Sequence, residues 1–130
     1  MIRVAVGVVI NAQHQVLIAR RSAAQHHGNC WEVPGGKVEA NESLAQALRR
    51  EFAEELGVGV IAPDDLSSWL DIEYDYGDRQ VHLAVAKIAI TGIPVGREGQ
   101  AVCWRPVSQL TPTDFPAANA AIIAALQQGI

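Results

Sequence analysis

The 130-residue chain predicts an α/β fold, a mixed sheet with helices packed on its faces. Three observations lead there. Apolar strand-like runs outnumber helical ones, hairpin-like links join several of them, and two segments carry helical signals. Val4 to Ile10 is apolar and rich in strand formers. Gln15 to Ala19 begins a second strand after Asn11-Ala12-Gln13-His14, which has the make-up of a hairpin loop. Trp31-Glu32-Val33 is a short extended piece stopped by Pro34-Gly35-Gly36. Asn41-Glu42-Ser43 supplies helix-start chemistry and Gly57 a C-terminal stop. Between them Leu44, Leu48, Phe52 and Leu56 recur every fourth residue, which predicts a buried stripe. Ser68 to Tyr76 and Gln80 to Ile90 read as strands around the turn Gly77-Asp78-Arg79. Ala101 to Arg105 is a shorter strand, and Ala117 to Leu126 an Ala-rich helix opening after Pro116.

The length predicts a single domain over 1–130. With 49% hydrophobic and 18% charged residues the chain can bury a core and is not of the disordered class. It contains no apolar run of about 18 residues, so no membrane-spanning helix is expected. The apolar start breaks at Asn11 without a signal-type cleavage site and reads as a first strand. Cys30 and Cys103 have neither metal-ligand spacing nor a disulfide framework, which suits a reducing cytoplasm; both read as small buried hydrophobes. A net charge of −4 argues against broad contact with polynucleotide, which needs a basic stripe. It does not argue against a nucleotide, because bound metal ions reverse the local field.

The chemistry concentrates in Gly36 to Val58. There Glu51, Glu54 and Glu55 stand at i, i+3 and i+4, on one face of the predicted helix. Like charges so close repel, and a hard divalent cation with oxygen ligands would relieve them. Glu55 projects beside the apolar stripe and Glu51 at its margin, where a carboxylate is costly unless paired or metal-bound. The alternative is a solvated acidic face. Arg50 either orients these carboxylates or makes an ordinary i,i+4 pair with Glu54.

The stretch GKVEANESLAQALRREFAEELGV resembles the signature of the Nudix hydrolases at every charged and glycine position. Phe52 departs from the usual Ile, Leu or Val, at a position that faces the core in that family. The resemblance implies an α/β/α sandwich, with metal held by Glu51, Glu54, Glu55 and the carbonyl of Gly35. It also makes Arg50 the orienting residue; Glu42 supports the helix entry and has no catalytic role. Beyond this stretch, AVGVVIN, ARRSA, WEVPGGKVEANES, REGQ with Trp104, and Asp114-Phe115-Pro116-Ala117-Ala118-Asn119 are similar to MutT-type enzymes, which destroy oxidised guanine nucleotides. That narrower likeness implies Glu98 as a further metal ligand, competing with Glu51 for the role of general base. It implies substrate contacts from Arg21, His26, Val33, Arg79 and Asn119. Lys37, which follows the glycines, reads either as a contact to substrate phosphate or as a lone surface lysine.

Asn119 carries the expectation about the base. Oxidation of guanine at C8 turns N7 into an N–H donor and leaves O6 an acceptor. A carboxamide matches that edge, its oxygen facing N7–H and its NH2 facing O6. Intact guanine is tolerated if the amide flips, so Asn119 is not expected to discriminate alone. The competing role for Asn119 is capping the last helix. Val33 departs from the phenylalanine of the best-known MutT-type enzymes, which removes an aromatic surface but keeps the main-chain groups. His14, His27 and His82 have no supported role, and Trp31, Trp69 and Trp104 read as core or rim aromatics.

The function so implied is Mg²⁺-dependent pyrophosphohydrolysis of a nucleoside triphosphate, with Mn²⁺ an acceptable substitute. The expected substrate is 8-oxo-dGTP and the expected partner a small nucleotide. No polynucleotide or membrane is expected, and the chain is expected to be a monomer, with a dimer left open. A pyrimidine triphosphate such as CTP or an oxidised dCTP is the alternative substrate. A non-catalytic Nudix-like binding module is the alternative class, disfavoured because all three helix glutamates are present.

Overall fold

The computed structural model describes residues 1–20 and 30–129. Two helices flank a β layer made of two main sheets and a two-stranded pair. One sheet has the strand order β4 (Gly35–Lys37), β1 (Ile2–Val8), β7 (Gln80–Lys87), β6 (Leu70–Asp75). In it β1 and β7 run parallel from Ile2↔Val81 to Val8↔Lys87, and the other pairings are antiparallel. The second sheet orders β3 (Trp31–Glu32), β2 (Gln15–Arg20) and β9 (Val102–Pro106). The pair is β5 (Gly59–Ile61) with β8 (Ala89–Thr91). This is the mixed α/β architecture expected.

Two cores explain why β1, β2 and β7 read as unbroken apolar runs. Both of their faces are buried, so side chains of either parity must be apolar. Val4, Val6, Val8, Val16, Ile18, Leu83 and Val85 point to the cluster that holds Ala118, Ile122, Ile123 and Leu126 of α2 (Ala117–Gln127). Ala5, Val9, Leu17, Ala84 and Ala86 point the other way, to Leu44, Leu48, Phe52 and Leu56 of α1 (Leu44–Leu56). The predicted stripe of α1 is thus buried at all four positions. The α1 face of the sheet uses small residues, and Gly7 makes room for Phe52: a Cβ there would lie 2.7 Å from both the Phe52 Cζ and the Ile88 Cδ1. The larger residue at position 52 is accommodated by a missing side chain opposite it.

Ser43 caps α1, accepting from the Gln46 backbone N–H at 3.1 Å while Gln46 Oε1 accepts from the Ser43 N–H at 2.8 Å. This reciprocal cap satisfies two donors at a helix start. Gly57 ends the helix in the left-handed region at φ 68°, where glycine is unstrained.

Several boundaries differ from the expectation. Asn11 to His14 does form a turn, with the Asn11 Oδ1 accepting from Gln13 and Gln15. Yet β1 and β2 belong to different sheets; the arms of the turn meet at an isolated antiparallel bridge, Ile10↔Val16, with the Asn11 N–H bonded to Gln15 O and the Leu17 N–H to Val9 O. The Gly35-Gly36 segment, read as a stop, is a strand on the edge of the larger sheet. The apolar run to Ile90 divides at Ile88, whose N–H bonds Val8 O at 2.9 Å before the chain enters β8. Cys30 and Cys103 are half-buried rather than buried. Trp31 is flanked by Arg105 and Arg20 at 5.0 and 5.9 Å from its ring, and Trp69 by Lys87 at 4.4 Å. These are rim aromatics. No described helix is long and apolar enough to cross a membrane.

Candidate active site

A cleft of about 390 Å³ opens on the α2 side of the β layer. Val4, Val6 and Leu83 form an apolar wall, Val33 and Asn119 stand at one end, and Glu51 and Glu55 at the other. The carboxylates belong to α1, across the sheet, and reach the cleft around its edge strand. That passage depends on glycine: a Cβ on Gly36 would overlap the Glu51 carboxylate, and one on Gly35 the Ala5 carbonyl oxygen. Lys37 and Arg79 also line the cleft.

Arg50 organises the acidic end. Its guanidinium donates from Nη1 to Glu51 Oε1 at 2.6 Å, from Nε to Glu42 Oε2 at 2.7 Å, and from Nη2 to the Lys37 carbonyl at 2.8 Å. Glu54 is farther, at 3.8 Å. The direct bonds of Arg50 thus go to Glu51, Glu42 and the Lys37 carbonyl, and its i,i+4 contact with Glu54 is the longer one. Glu42, whose other oxygen accepts from the Glu39 N–H at 2.9 Å, ties the helix entry to the loop. Arg50 holds the Glu42 carboxyl below the usual carboxylate range, and Glu42 and then Glu51 hold the guanidinium firmly protonated.

Glu55 behaves differently. Burial pushes its carboxyl up to about 9, helped by the hydrogen bond to Glu51 and by the charges of Glu51, Glu32 and Glu98. At neutral pH it therefore keeps its proton and donates it to Glu51. Two carboxyls in hydrogen-bond contact, with only oxygen atoms to offer, are what a hard divalent cation would convert into a ligand pair. The donor set and the passage past Gly36 suit such an ion.

Not every candidate joins this pair. Glu54 is turned to solvent, 63% exposed, and lies beside the cleft rather than in it. Glu98 is exposed on its loop, although that loop is tied to α1: Arg97 N and Gln100 Nε2 both donate to the Glu55 carbonyl, at 2.9 and 3.1 Å. Among the described residues no three His, Cys, Asp or Glu side chains gather into a metal-holding group. Arg21 and His26, expected to contact substrate, lie outside the described residues, as does His27. His14 sits in the first turn and His82 bonds Asp71 Oδ1 at 2.9 Å, both away from the cleft.

At the other end Asn119 does not cap α2; Pro116 occupies that position without a side-chain bond. Instead the Asn119 Oδ1 accepts from the Val33 backbone N–H at 2.9 Å, across 86 residues of sequence. Two residues missed in the sequence also line the cleft, Glu32 and Tyr76. Glu32 adjoins Val33 in the run before the glycines and could have been flagged from that adjacency. Tyr76 gave no local signal.

Residues 1–126 match the NUDIX domain family. The chain is 38% identical over 128 residues to the 8-oxo-dGTP diphosphatase of Escherichia coli K12, covering 98% of this chain and 97% of that protein. It is 32% identical to the CTP pyrophosphohydrolase of the same organism, covering 85% and 84%. A solved structure from work on MutT of Aliivibrio salmonicida and Vibrio cholerae superposes with a TM-score of 0.81 at 30% identity, over 99% of this chain and 98% of that one. The glycine passage, the arginine-held glutamate and these likenesses agree, and the chain belongs to the NUDIX family.

Proposed function

We propose that the protein hydrolyses 8-oxo-dGTP to 8-oxo-dGMP and pyrophosphate, removing an oxidised precursor from the cytoplasmic nucleotide pool. Enzymes of similar sequence carry that name, and the bond from the Val33 N–H to the Asn119 Oδ1 supports the choice of base. An N–H can face only the oxygen of a carboxamide, so this bond fixes which way the amide points. The oxygen keeps a second lone pair for N7–H of the oxidised base, and the NH2 is left for O6. Intact guanine offers a lone pair at N7 and meets the same oxygen with repulsion. Flipping the amide to suit it would set NH2 against the Val33 N–H. The ambiguity that weakened Asn119 as a lone discriminator is thereby reduced.

In the reaction, water attacks the β-phosphorus, the bond from that phosphorus to the bridging oxygen of the α-phosphate breaks, and the nucleoside monophosphate leaves. Magnesium, or manganese in its place, would be held by Glu51, Glu55 and the Gly35 carbonyl, with Glu54 and Glu98 as further ligands; when bound it neutralises the phosphate oxygens. Glu51 is favoured over Glu98 as the base that takes the water's proton, since it lies in the cleft and Arg50 holds it. Lys37 and Arg79 face the phosphates, and the apolar wall of Val4, Val6 and Leu83 excludes water beside the nucleoside. Arg21 and His26 remain substrate contacts on the resemblance.

A pyrimidine nucleotide, CTP or an oxidised dCTP, is the second reading, favoured by the likeness to the CTP pyrophosphohydrolase. Turnover on 8-oxo-dGTP, dGTP, CTP and oxidised dCTP separates them. The guanine reading requires the highest kcat/KM on 8-oxo-dGTP; equal or better values on dGTP or CTP refute it.

A further inference from the structure

The first turn of α2 begins at Pro116, which has no side-chain oxygen to offer its free N–H groups. Ala118 is 2% exposed, so water does not serve its N–H. The Tyr76 hydroxyl does: its Oη accepts from the Ala118 N–H at 3.0 Å. Tyr76 stands just after β6, where its own N–H bonds Arg79 O at 2.8 Å across the turn into β7. It is itself part of the cleft lining. One hydroxyl therefore joins the hairpin that carries Arg79 to the helix turn that carries Asn119, the residue next to Ala118.

We infer that Tyr76 is a positioning residue for base selection: by capping α2 it holds Asn119 where its amide oxygen can be fixed by the Val33 N–H. The inference rests on the proposed reading of Asn119 as the residue that meets the base. Without the hydroxyl, the Ala118 N–H is buried and unsatisfied unless the first turn shifts toward water or another acceptor. Such a shift lengthens the contact from Val33 N–H to Asn119 Oδ1, frees the amide to rotate, and makes oxidised and intact guanine more alike to the site. The acidic end lies on a different helix and does not feel the change.

The test compares wild type, Tyr76→Phe and Tyr74→Phe. Tyr74 is the neighbouring ring, 4.6 Å from Tyr76 between centroids and 40% exposed, and it lines no part of the cleft. Each variant is assayed for kcat and KM on 8-oxo-dGTP and dGTP, and for calorimetric binding of 8-oxo-dGMP. Tyr76→Phe is expected to lower the 8-oxo-dGTP to dGTP ratio of kcat/KM by about tenfold, through KM and with kcat nearly kept. Product binding should weaken in step, while Tyr74→Phe matches wild type. A preference unchanged in Tyr76→Phe, or an equal fall of kcat on both nucleotides, overturns the role of Tyr76. A wild type that does not prefer 8-oxo-dGTP overturns the guanine reading, and this inference with it. Thermal melts confirm that the variants compared are folded.

Discussion

The two ends of the cleft are built in opposite ways. The acidic end comes from one short stretch: Glu42, Arg50, Glu51 and Glu55 lie within 14 positions and interact through a single helix and its entry loop. The base end is assembled from three distant segments: Val33 bonds Asn119 across 86 residues, and Tyr76 bonds Ala118, the residue before Asn119, across 42. Phosphate chemistry needs charge at high local density, which a helix delivers through its i, i+4 spacing. Recognition of a base edge needs donors and acceptors facing inward from several sides, which one helix does not supply. The two ends should therefore fail differently when altered.

The largest effect is expected at Glu51. Glu51→Gln should lower kcat by about 10²–10⁴-fold on every nucleotide, as loss of a general base does, and leave the ratio between 8-oxo-dGTP and dGTP intact. A changed ratio would mean that the two ends are not separable. Asn119→Asp is the reciprocal alteration. The carboxylate still accepts from the Val33 N–H but repels O6, so kcat/KM on 8-oxo-dGTP should fall by roughly 10²-fold or more, chiefly through KM. Unaltered preference in that variant would remove Asn119 from base reading.

A smaller loss is expected from Arg50→Ala, about 10–100-fold in activity or in Mg²⁺ affinity, because the residue acts through Glu51. Arg50→Lys should not restore it, since one ammonium cannot span Glu42, Glu51 and the Lys37 carbonyl. Full activity in the lysine variant would show that a positive charge suffices there.

The mildest perturbation is pH. Glu55 has an ordinary value of 4.5 and rises to about 9 in the folded protein, so between these limits the folded state holds a proton that the unfolded state has lost. Raising pH then favours unfolding, and this contribution to stability declines from about pH 5 to pH 9. Thermal melts in chelator should show that decline, and excess Mg²⁺ should raise the melting temperature most at the upper end. A melting temperature in chelator that climbs with pH would contradict the burial of Glu55.

This contrast also explains what could be read in advance. The helix limits, the stripe of Leu44, Leu48, Phe52 and Leu56 and the half-buried position of Glu51 and Glu55 all follow from periodicity within one segment. The strand pairings did not. Asn11 to His14 was legible as a turn, but nothing local told that it bridges two sheets. Gly35 and Gly36 looked like a stop because glycine weakens a strand interior, and their use is visible only once Glu51 is seen to occupy the space a Cβ would need.

Local order in the chain thus specified two helices, an apolar β layer and a cluster of acids aimed at a cation, because these depend on residues a few positions apart. Long-range packing supplied the rest: that Gly7 admits Phe52, that Glu54 stands outside the cleft while Glu55 is half-buried in its lining, and that the Tyr76 hydroxyl and the Val33 N–H meet the start of α2. Contacts between segments so far apart arise from the closing of the sheet against α2, and no spacing along the chain encodes the distance at which two such groups come to rest.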